Sequence, residues 1–375
     1  MIKVQAKQLN QFDDDFVEEY QKLRKQLLKL YNSPLNSLVT EVRVYRDFKA
    51  FQQFINQFSQ KVMNIDNVID FIEVSVDTFL NSDYNYDVLD STQKKQSVSV
   101  TDFSSCPIYT LAKKLIVVRG ERKLLEHYSD RFSFGQNVHE IMNISMKLAK
   151  SMKELNMESE VWIAMKLSSG YWLVGRADLV DFNNNIVVDI KTFREQKIDK
   201  KDDSTIRMFN YTLNQLTLYM TALSLWSGKV FRGYIYYIIN SFDSRKVKKD
   251  VRFVRFNQKR AKLLLTVANL LPVLFTDDEK LLLKNILLLY NALKSVFGEG
   301  ESKIWGDYCK FCPFNPLSRR YKTAKRGNGW EGLFTCPIPL LKEGKLPSLN
   351  GKGGLTALKD SKRVLRLLRI KTELI

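Results

Sequence analysis

The 375-residue sequence predicts an α/β fold, and the order of its hydrophobic patterns is the main reason. Helical patterns fill most of residues 12–80, and three strand-like runs lie close together further on: EVWIAMKL, YWLVGRADLVD and IVVDIKT. An apolar helical run, TLNQLTLYMTALSLW, follows them and precedes two more strand-like runs, FRGYIYYIIN and VRFVRF. Strands and helices in this order are typical of a central sheet flanked by helices.

The character of the sequence changes near residue 100, which suggests several segments. The run FDDDFVEEYQKLRKQLLKLY has acidic residues first and basic residues later, as helices do, and the polar stretch at 81–99 is typical of a linker. Helical patterns return in NQKRAKLLLTVANLL and KLLLKNILLLYNALKSVF. The segments we expect are a helical accessory domain at 1–95, an α/β core at 100–256, a helical and cysteine-bearing segment at 257–340 and a basic tail at 341–375.

The charge distribution is the first indication of function. The net charge is +18, but residues 1–100 hold 12 Lys and Arg against 14 Asp and Glu, which leaves a surplus of +20 in residues 101–375. A basic surplus in one part of a chain favours a polyanionic partner, most simply nucleic acid, and solubility is the alternative explanation. The apolar runs are too short and broken for a membrane span, and MIKVQAKQLNQFDDD has no apolar signal core, so we expect a cytoplasmic protein without a membrane partner.

Three charged residues interrupt the apolar segment GRADLVDFNNNIVVDIKT: Asp178, Asp189 and Lys191. The spacing of Val, Ile and Leu around them predicts burial, and a buried carboxylate is costly unless it is paired. Two interpretations are open. The charges neutralise one another inside a core, or they hold a metal ion.

The turn in this segment predicts how the charges are placed. FNNN is a turn by composition, because Asn tolerates turn dihedral angles. A four-residue loop would pair Asp181 with Ile186, and counting outward places Asp178 directly opposite Asp189. Directly opposed side chains share a face of the sheet, and Lys191, two residues from Asp189, shares that face as well.

Two carboxylates and an ammonium group on one face are suited to metal-dependent chemistry on phosphates. Adjacent carboxylates repel unless a cation lies between them, and Mg²⁺ and Mn²⁺ prefer oxygen ligands. A nearby lysine can orient water and stabilise charge on a phosphate. The alternative is a neutralised Asp–Lys pair on a half-exposed sheet face, and the spacing alone leaves both interpretations open.

The wider pattern resembles the active-site core of the PD-(D/E)xK nuclease superfamily, in particular its RecB-like branch. The matching core is G-R-A-D-(x10)-D-I-K-T. A histidine-bearing helix precedes this core in that branch, as His139 does in GQNVHE, and a Q-x-x-x-Y element follows it, as Gln215 and Tyr219 do in NQLTLY. These two residues are four positions apart and face the same side of a helix. The resemblance covers about residues 100–340 and includes the CRISPR-associated RecB-like exonucleases.

The resemblance implies a restriction-endonuclease-like core, a mixed central sheet flanked by helices, with the nuclease core at 100–256. It implies three ligands for Mg²⁺ or Mn²⁺: His139, Asp178 and Asp189. Lys191 would be the catalytic lysine, and Gln215 and Tyr219 would position the substrate or the active-site elements. Glu160 could supply a further acidic contact, and a solvated glutamate at a strand end is the alternative. The implied function is a metal-dependent DNA nuclease that acts on single strands or duplex ends.

The four cysteines extend the resemblance. One cysteine precedes the core and three follow it, as in the iron–sulfur nucleases of this branch, where four thiolates hold a [4Fe–4S] cluster. The four residues are Cys106, Cys309, Cys312 and Cys336. Cys336 follows Cys312 by 24 positions, a wider spacing than in that family, and four thiolates equally suit Zn²⁺.

Two other functions fit parts of the sequence. A non-cleaving DNA-binding or adaptor subunit of a DNA-processing or CRISPR-adaptation complex would use the same fold, with the other subunits of that complex as further partners, but it need not retain the Asp, Asp and Lys set. A sequence-specific restriction or junction-resolving enzyme shares the core, but it does not predict the Q-x-x-x-Y element or the flanking cysteines.

Overall fold

A computed structural model of the chain describes most of the predicted core and part of its flanks. The described residues are 14–45, 96–118, 157–194, 209–240, 247–302, 305, 312, 314, 315, 334 and 336–339. The helices are α1 Asp14–Asn32, α2 Val100–Ser105, α3 Pro107–Val118, α4 Asn210–Ser227, α5 Gln258–Leu274 and α6 Glu279–Ser302. The strands are β1 Val39–Tyr45, β2 Ser97–Ser99, β3 Met157–Leu167, β4 Trp172–Asp181, β5 Ile186–Arg194, β6 Arg232–Asn240 and β7 Val247–Val254.

The described strands form one mixed, mostly antiparallel sheet in the order β1-β3-β4-β5-β6-β7, with β2 beside β4. Strands β5 and β6 are parallel, as are β2 and β4, and the other pairs are antiparallel. Helix α4 lies between β5 and β6 in the chain, as a parallel connection requires a crossover. The α/β prediction is confirmed at this level.

Strand β4 has an interrupted edge. On the side away from β3, its residues 172–174 pair with β2 and its residues 179–181 pair with β5. The residues between them, 175–178, have no strand partner on that side within the described part of the chain. This interruption determines where the site described below can form.

The two faces of the sheet differ because side chains alternate along each strand. In β3 and β4, Ile163, Met165 and Leu173 join the main core together with buried residues of α4, α5 and α6. Their neighbours Ala164 and Trp172 belong to a small cluster on the other face. The described helices of the main core therefore cover one face of the sheet.

The N-terminal part of the chain is integrated into this core. Strand β1 pairs with β3, and Leu27 of α1 is fully buried. Helix α1 also contacts α6 through Arg24 Nε, which donates to Ser295 Oγ at 3.1 Å. The structure thus differs from the expected helical accessory domain over residues 14–45. The run VTEVRVY alternates as a strand does, and it completes the sheet edge rather than forming a separate unit.

Helix α6 contains one 18-residue window, Leu281–Gly298, that is long and apolar enough to cross a membrane. Core helices of folded proteins share this composition, and 44% of the window is buried inside the protein. Leu282, Ile286 and Leu289 of α6 are fully buried in the main core.

Asn269 of α5 joins the helix layer to the sheet. Its Nδ2 donates to the carbonyl oxygens of Leu38 at 3.0 Å and Leu265 at 2.9 Å. Its Oδ1 accepts from Ser168 Oγ at 2.8 Å and from Ser169 N at 2.9 Å. The buried carboxamide therefore uses both donors and both acceptor positions.

We expect Asn269→Ala to lower the free energy of unfolding by about 2–3 kcal/mol, because Leu38 and the Ser168–Ser169 turn lose their hydrogen bonds to a buried carboxamide. Chemical denaturation measures this loss. Asn291→Ala is the matched control, since Asn291 Nδ2 makes one hydrogen bond within its own helix, to Leu287 O at 2.9 Å. Equal losses in the two variants would contradict this role for Asn269.

Candidate active site

The β4–β5 hairpin has the predicted turn. Asp181 pairs with Ile186, and the loop between them has four residues. Asp181 closes this loop, since its Oδ1 accepts from the backbone N–H groups of Asn183 at 2.9 Å and Asn184 at 3.0 Å. Burial acts to raise the pKa of Asp181, but these hydrogen bonds outweigh it and lower the pKa. Asn185 adopts a positive φ of 54°, a conformation that Asn tolerates.

The hairpin strands separate just before the predicted Asp–Asp pair. The paired register ends at Leu179 and Val188, so Asp178 and Asp189 are not directly opposed ladder partners as we expected. Asp178 Oδ2 instead accepts from the backbone N–H of Ile190 at 2.6 Å. A side-chain carboxylate replaces the backbone acceptor at this point, where β5 leaves β4 while it stays paired with β6 along its whole length.

Lys191 nevertheless contacts Asp189 directly and interacts electrostatically with Asp178. Its Nζ lies 2.8 Å from Asp189 Oδ2 and 3.0 Å from Asp189 Oδ1. Burial acts to lower the pKa of Lys191, but the charges of Asp189 and Asp178 outweigh it and raise the pKa above its ordinary value. The side chain is therefore an ammonium ion at neutral pH, beside a carboxylate that is only 1% exposed.

Gln215 and Tyr219 of α4 form a hydrogen-bonded chain with Lys191. Lys191 Nζ donates to Gln215 Oε1 at 3.2 Å, and Gln215 Nε2 donates to the Tyr219 hydroxyl at 3.3 Å. The Tyr219 hydroxyl donates to the carbonyl oxygen of Arg176 at 2.9 Å. Burial raises the pKa of Tyr219, so the phenol stays neutral and keeps this proton. Each side chain in this series of hydrogen bonds therefore has one orientation.

Gly175 makes room for this arrangement. A Cβ at position 175 would lie 2.7 Å from Tyr219 Cε1, 2.8 Å from its hydroxyl and 2.9 Å from Val100 Cβ. Any larger residue would displace the buried ring from the edge of β4. The glycine of G-R-A-D is explained by this close approach.

Two tyrosines and a threonine belong to the site but were missed at the level of the sequence. Tyr237 is the β6 partner of Lys191 in the register, and burial, followed by Tyr211 and Asp189, raises the pKa of Tyr237 to about 12. Tyr211 also contributes to the raised pKa of Lys191. Thr101 Oγ1 lies 3.5 Å from the Nε2 of Gln215. The four-residue spacing between Tyr211 and Gln215 could have identified Tyr211, since it places both residues on one helix face.

Glu160 is not the solvated residue that its position near a strand end suggested. It is 8% exposed, it adopts a positive φ of 56°, and its Oε1 lies 3.2 Å from Arg176 Nη1. The Arg176 guanidinium also lies 5.7 Å from the centroid of a Trp162 ring. Glu160 therefore fixes the side chain of Arg176, and the carbonyl oxygen of Arg176 accepts the hydrogen bond from Tyr219.

The described cysteines lie at two connected places. Cys106 is the extended residue between α2 and α3, and Pro107 begins α3. Cys312 and Cys336 are buried, and Cys336 N donates to the carbonyl oxygen of Phe314 at 2.8 Å. The Phe314 ring lies 5.5 Å from that of Tyr109 in the first turn of α3, so Phe314 packs at the start of the helix that follows Cys106.

Two of the expected ligands, His139 and Cys309, lie outside the described residues. Within the described ranges, no group of three or more His, Cys, Asp or Glu side chains is arranged to hold a metal ion. Asp178 and Asp189 are the expected metal ligands that the structure describes.

Comparisons with known proteins add little. No family model matches the chain, and no curated protein matches it. One solved structure, described as "Crystal structure of SSO0001", is 18% identical in sequence with a TM-score of 0.33, and the match covers 61% of this chain and 96% of that one. A TM-score of this size carries no argument about the fold.

We expect Gly175→Ala to lower the free energy of unfolding by about 1–3 kcal/mol, because the added methyl group overlaps Tyr219 and Val100. Denaturation of four proteins forms a double-mutant cycle: the parent, Gly175→Ala, Tyr219→Ala and the double variant. The cost of the glycine substitution should be smaller when the ring is absent. Strictly additive losses would contradict the steric explanation.

Proposed function

We propose that this protein is a metal-dependent nuclease that hydrolyses phosphodiester bonds in DNA, acting on single strands or duplex ends. The observation that supports this proposal is the convergence of Asp178, Asp189 and Lys191 beneath α4, where the pairing of β4 is interrupted. The sheet with a hairpin, a crossover helix and a parallel strand is compatible with a restriction-endonuclease-like core. The basic surplus in residues 101–375 favours a polyanionic substrate.

The charges at the site favour a divalent cation. Two carboxylates face one ammonium group, which leaves a net charge of −1 in a largely buried place, and Mg²⁺ or Mn²⁺ would offset it. Asp178 and Asp189 offer the oxygen ligands that these ions prefer, and His139 would be a further ligand in the related nucleases. When bound, the ion would polarise a phosphoryl oxygen and make an attacking water more acidic.

The protein's own groups have separate roles in this proposal. Lys191 would stabilise the negative charge that develops on the phosphate, because its raised pKa keeps it cationic. Gln215 and Tyr219 would act as positioning residues, since they fix the lysine through hydrogen bonds and Tyr219 is 1% exposed. Asp178 is itself oriented by the backbone N–H of Ile190.

We expect Lys191→Ala and Asp178→Ala to reduce the cleavage of single-stranded DNA by about a hundredfold or more. The first variant removes the cation that would stabilise charge on the phosphate, and the second removes a proposed ligand of the divalent ion. The assay uses purified full-length protein with Mg²⁺ or Mn²⁺. Lys229→Ala is the matched control, because Lys229 is exposed at the far end of α4.

A second readout separates a folded, inactive variant from a misfolded one. Mg²⁺ or Mn²⁺ should raise the melting temperature of the parent, and this increase should vanish in the Asp178→Asn, Asp189→Asn double variant. Undiminished cleavage by the Lys191→Ala variant would contradict the nuclease assignment. A protein that binds DNA but never cuts it, with either metal, would favour the non-cleaving adaptor subunit.

We also propose that Cys106, Cys309, Cys312 and Cys336 hold a [4Fe–4S] cluster, with Zn²⁺ as the alternative. The packing of the Cys312 and Cys336 segment against the start of α3 supports a shared site, since it brings the two ends of the core together. A bound cluster would stabilise this junction and supply no step of the hydrolysis.

An anaerobic preparation of the full chain should be brown, with an absorption band near 400 nm, roughly where iron–sulfur charge transfer appears. Cys336→Ser should lose the colour, because it removes one of the four proposed thiolate ligands. Metal analysis provides the contrary outcome. A colourless protein with one equivalent of zinc would show that the site holds Zn²⁺ instead of an iron–sulfur cluster.

A further inference from the structure

We propose that the first turns of α4 and α5 form a subsite for single-stranded nucleic acid. In this subsite Arg260 of α5 binds a backbone phosphate, and the rings of Phe209 and Tyr211 stack against a base. This inference rests on the proposed function, because it places the substrate of that site. Its elements are a guanidinium group, two carboxamides and a pair of stacked rings.

Arg260 is a cation whose partners are neutral. Its Nη1 donates to Asn214 Oδ1 at 2.8 Å, and its Nη2 donates to Asn210 Oδ1 at 3.3 Å. No carboxylate in the part of the chain that the structure describes forms an ion pair with it. Burial lowers the pKa of Arg260, although an arginine remains charged at neutral pH. Among the described residues this half-buried charge has no counter-ion, and a phosphate would supply one.

The two carboxamides orient the guanidinium group without neutralising it. An arginine has five N–H donors, so these two hydrogen bonds leave others for a ligand. Asn214 is itself fixed, since its Nδ2 donates to the carbonyl oxygen of Ser104 at 3.1 Å. The planar group is therefore held in one orientation, which favours bidentate recognition of phosphate oxygens.

An aromatic pair lies at the same end of the helix. The rings of Phe209 and Tyr211 are stacked with centroids 5.5 Å apart and planes 21° apart, and both residues are half-buried. Cations interleaved with aromatic side chains are typical of surfaces that bind single strands, because every base has a face that can stack.

This subsite is next to the catalytic residues. Asn214, which holds Arg260, directly precedes Gln215, which holds Lys191. A strand that crosses the start of α4 would therefore pass from Arg260 over the aromatic pair to the proposed scissile phosphate.

The test measures the binding of fluorescently labelled oligo(dT) to the full chain in EDTA, which prevents metal-dependent cleavage, over a series of salt concentrations. Arg260→Gln should reduce the slope of log affinity against log salt by about 0.7, the value for one lost phosphate contact on a single strand. Lys259→Gln, an exposed neighbour with the same charge change, should leave the slope unchanged. Arg260→Lys should restore most of the slope.

A second variant keeps the inference testable if Arg260→Gln does not fold. Phe209→Leu should weaken binding about tenfold with an unchanged slope, because stacking energy carries no counter-ion release. Melting temperatures of all variants identify a loss of fold. Equal slopes for Arg260→Gln and Lys259→Gln, together with unchanged affinity of Phe209→Leu, would overturn the subsite.

The outcomes also separate this inference from the nuclease proposal. Cleavage by the parent with no effect of Arg260→Gln or Phe209→Leu on binding would overturn the subsite alone. Reduced slope in Arg260→Gln with no cleavage by the parent would support the subsite and reject the nuclease. A parent that binds no oligo(dT) at any salt concentration would also overturn the subsite.

Discussion

The interruption in the pairing of β4 is the constraint on which the site depends. Between its contacts with β2 and β5, this strand has backbone groups that no neighbouring strand satisfies within the described residues. Buried backbone groups require partners, and here the Tyr219 hydroxyl binds the carbonyl oxygen of Arg176. Asp178 in turn accepts a hydrogen bond from the backbone N–H of Ile190, where β5 separates from β4. Side chains thus replace the missing ladder, and those side chains form the site.

The electrostatic arrangement follows from this geometry. Asp189 is nearly inaccessible to solvent. Its negative charge can be buried because Lys191 Nζ lies within 3 Å of its carboxylate. The lysine is held in turn by Gln215, and Gln215 by Tyr219. In the proposed hydrolysis, groups fixed in this way would need little reorganisation as charge develops on the phosphate, which is the main physical advantage of a preorganised site.

Helix α4 connects the two proposed sites through its consecutive residues. One side of its first turns faces β5 and fixes Lys191, whereas the neighbouring side faces α5 and fixes Arg260. Leu216 and Met220, in the fully buried middle of the helix, pack in the core and so fix the position of both sides relative to the sheet. Gly233 of β6 permits this close packing, since a Cβ there would lie 2.8 Å from Leu216 Cδ2.

The features that depend on near neighbours could be predicted from the sequence. The Asn-rich turn and its flanking apolar residues set the pairing of Asp181 with Ile186, and the four-residue spacing in α4 placed Gln215 beside Tyr219. These features were predictable because turn dihedral angles and helical periodicity act over a few residues.

The contacts between distant segments, in contrast, could be read only from the folded chain. Lys191 reaches Gln215 across 24 positions, and Tyr219 reaches Arg176 across 43. The separation of β4 from β5 at Asp178 and the place of β1 at the sheet edge likewise depend on such long-range packing. No local pattern encodes them, because each results from the competition of whole strands and helices for the same buried surface.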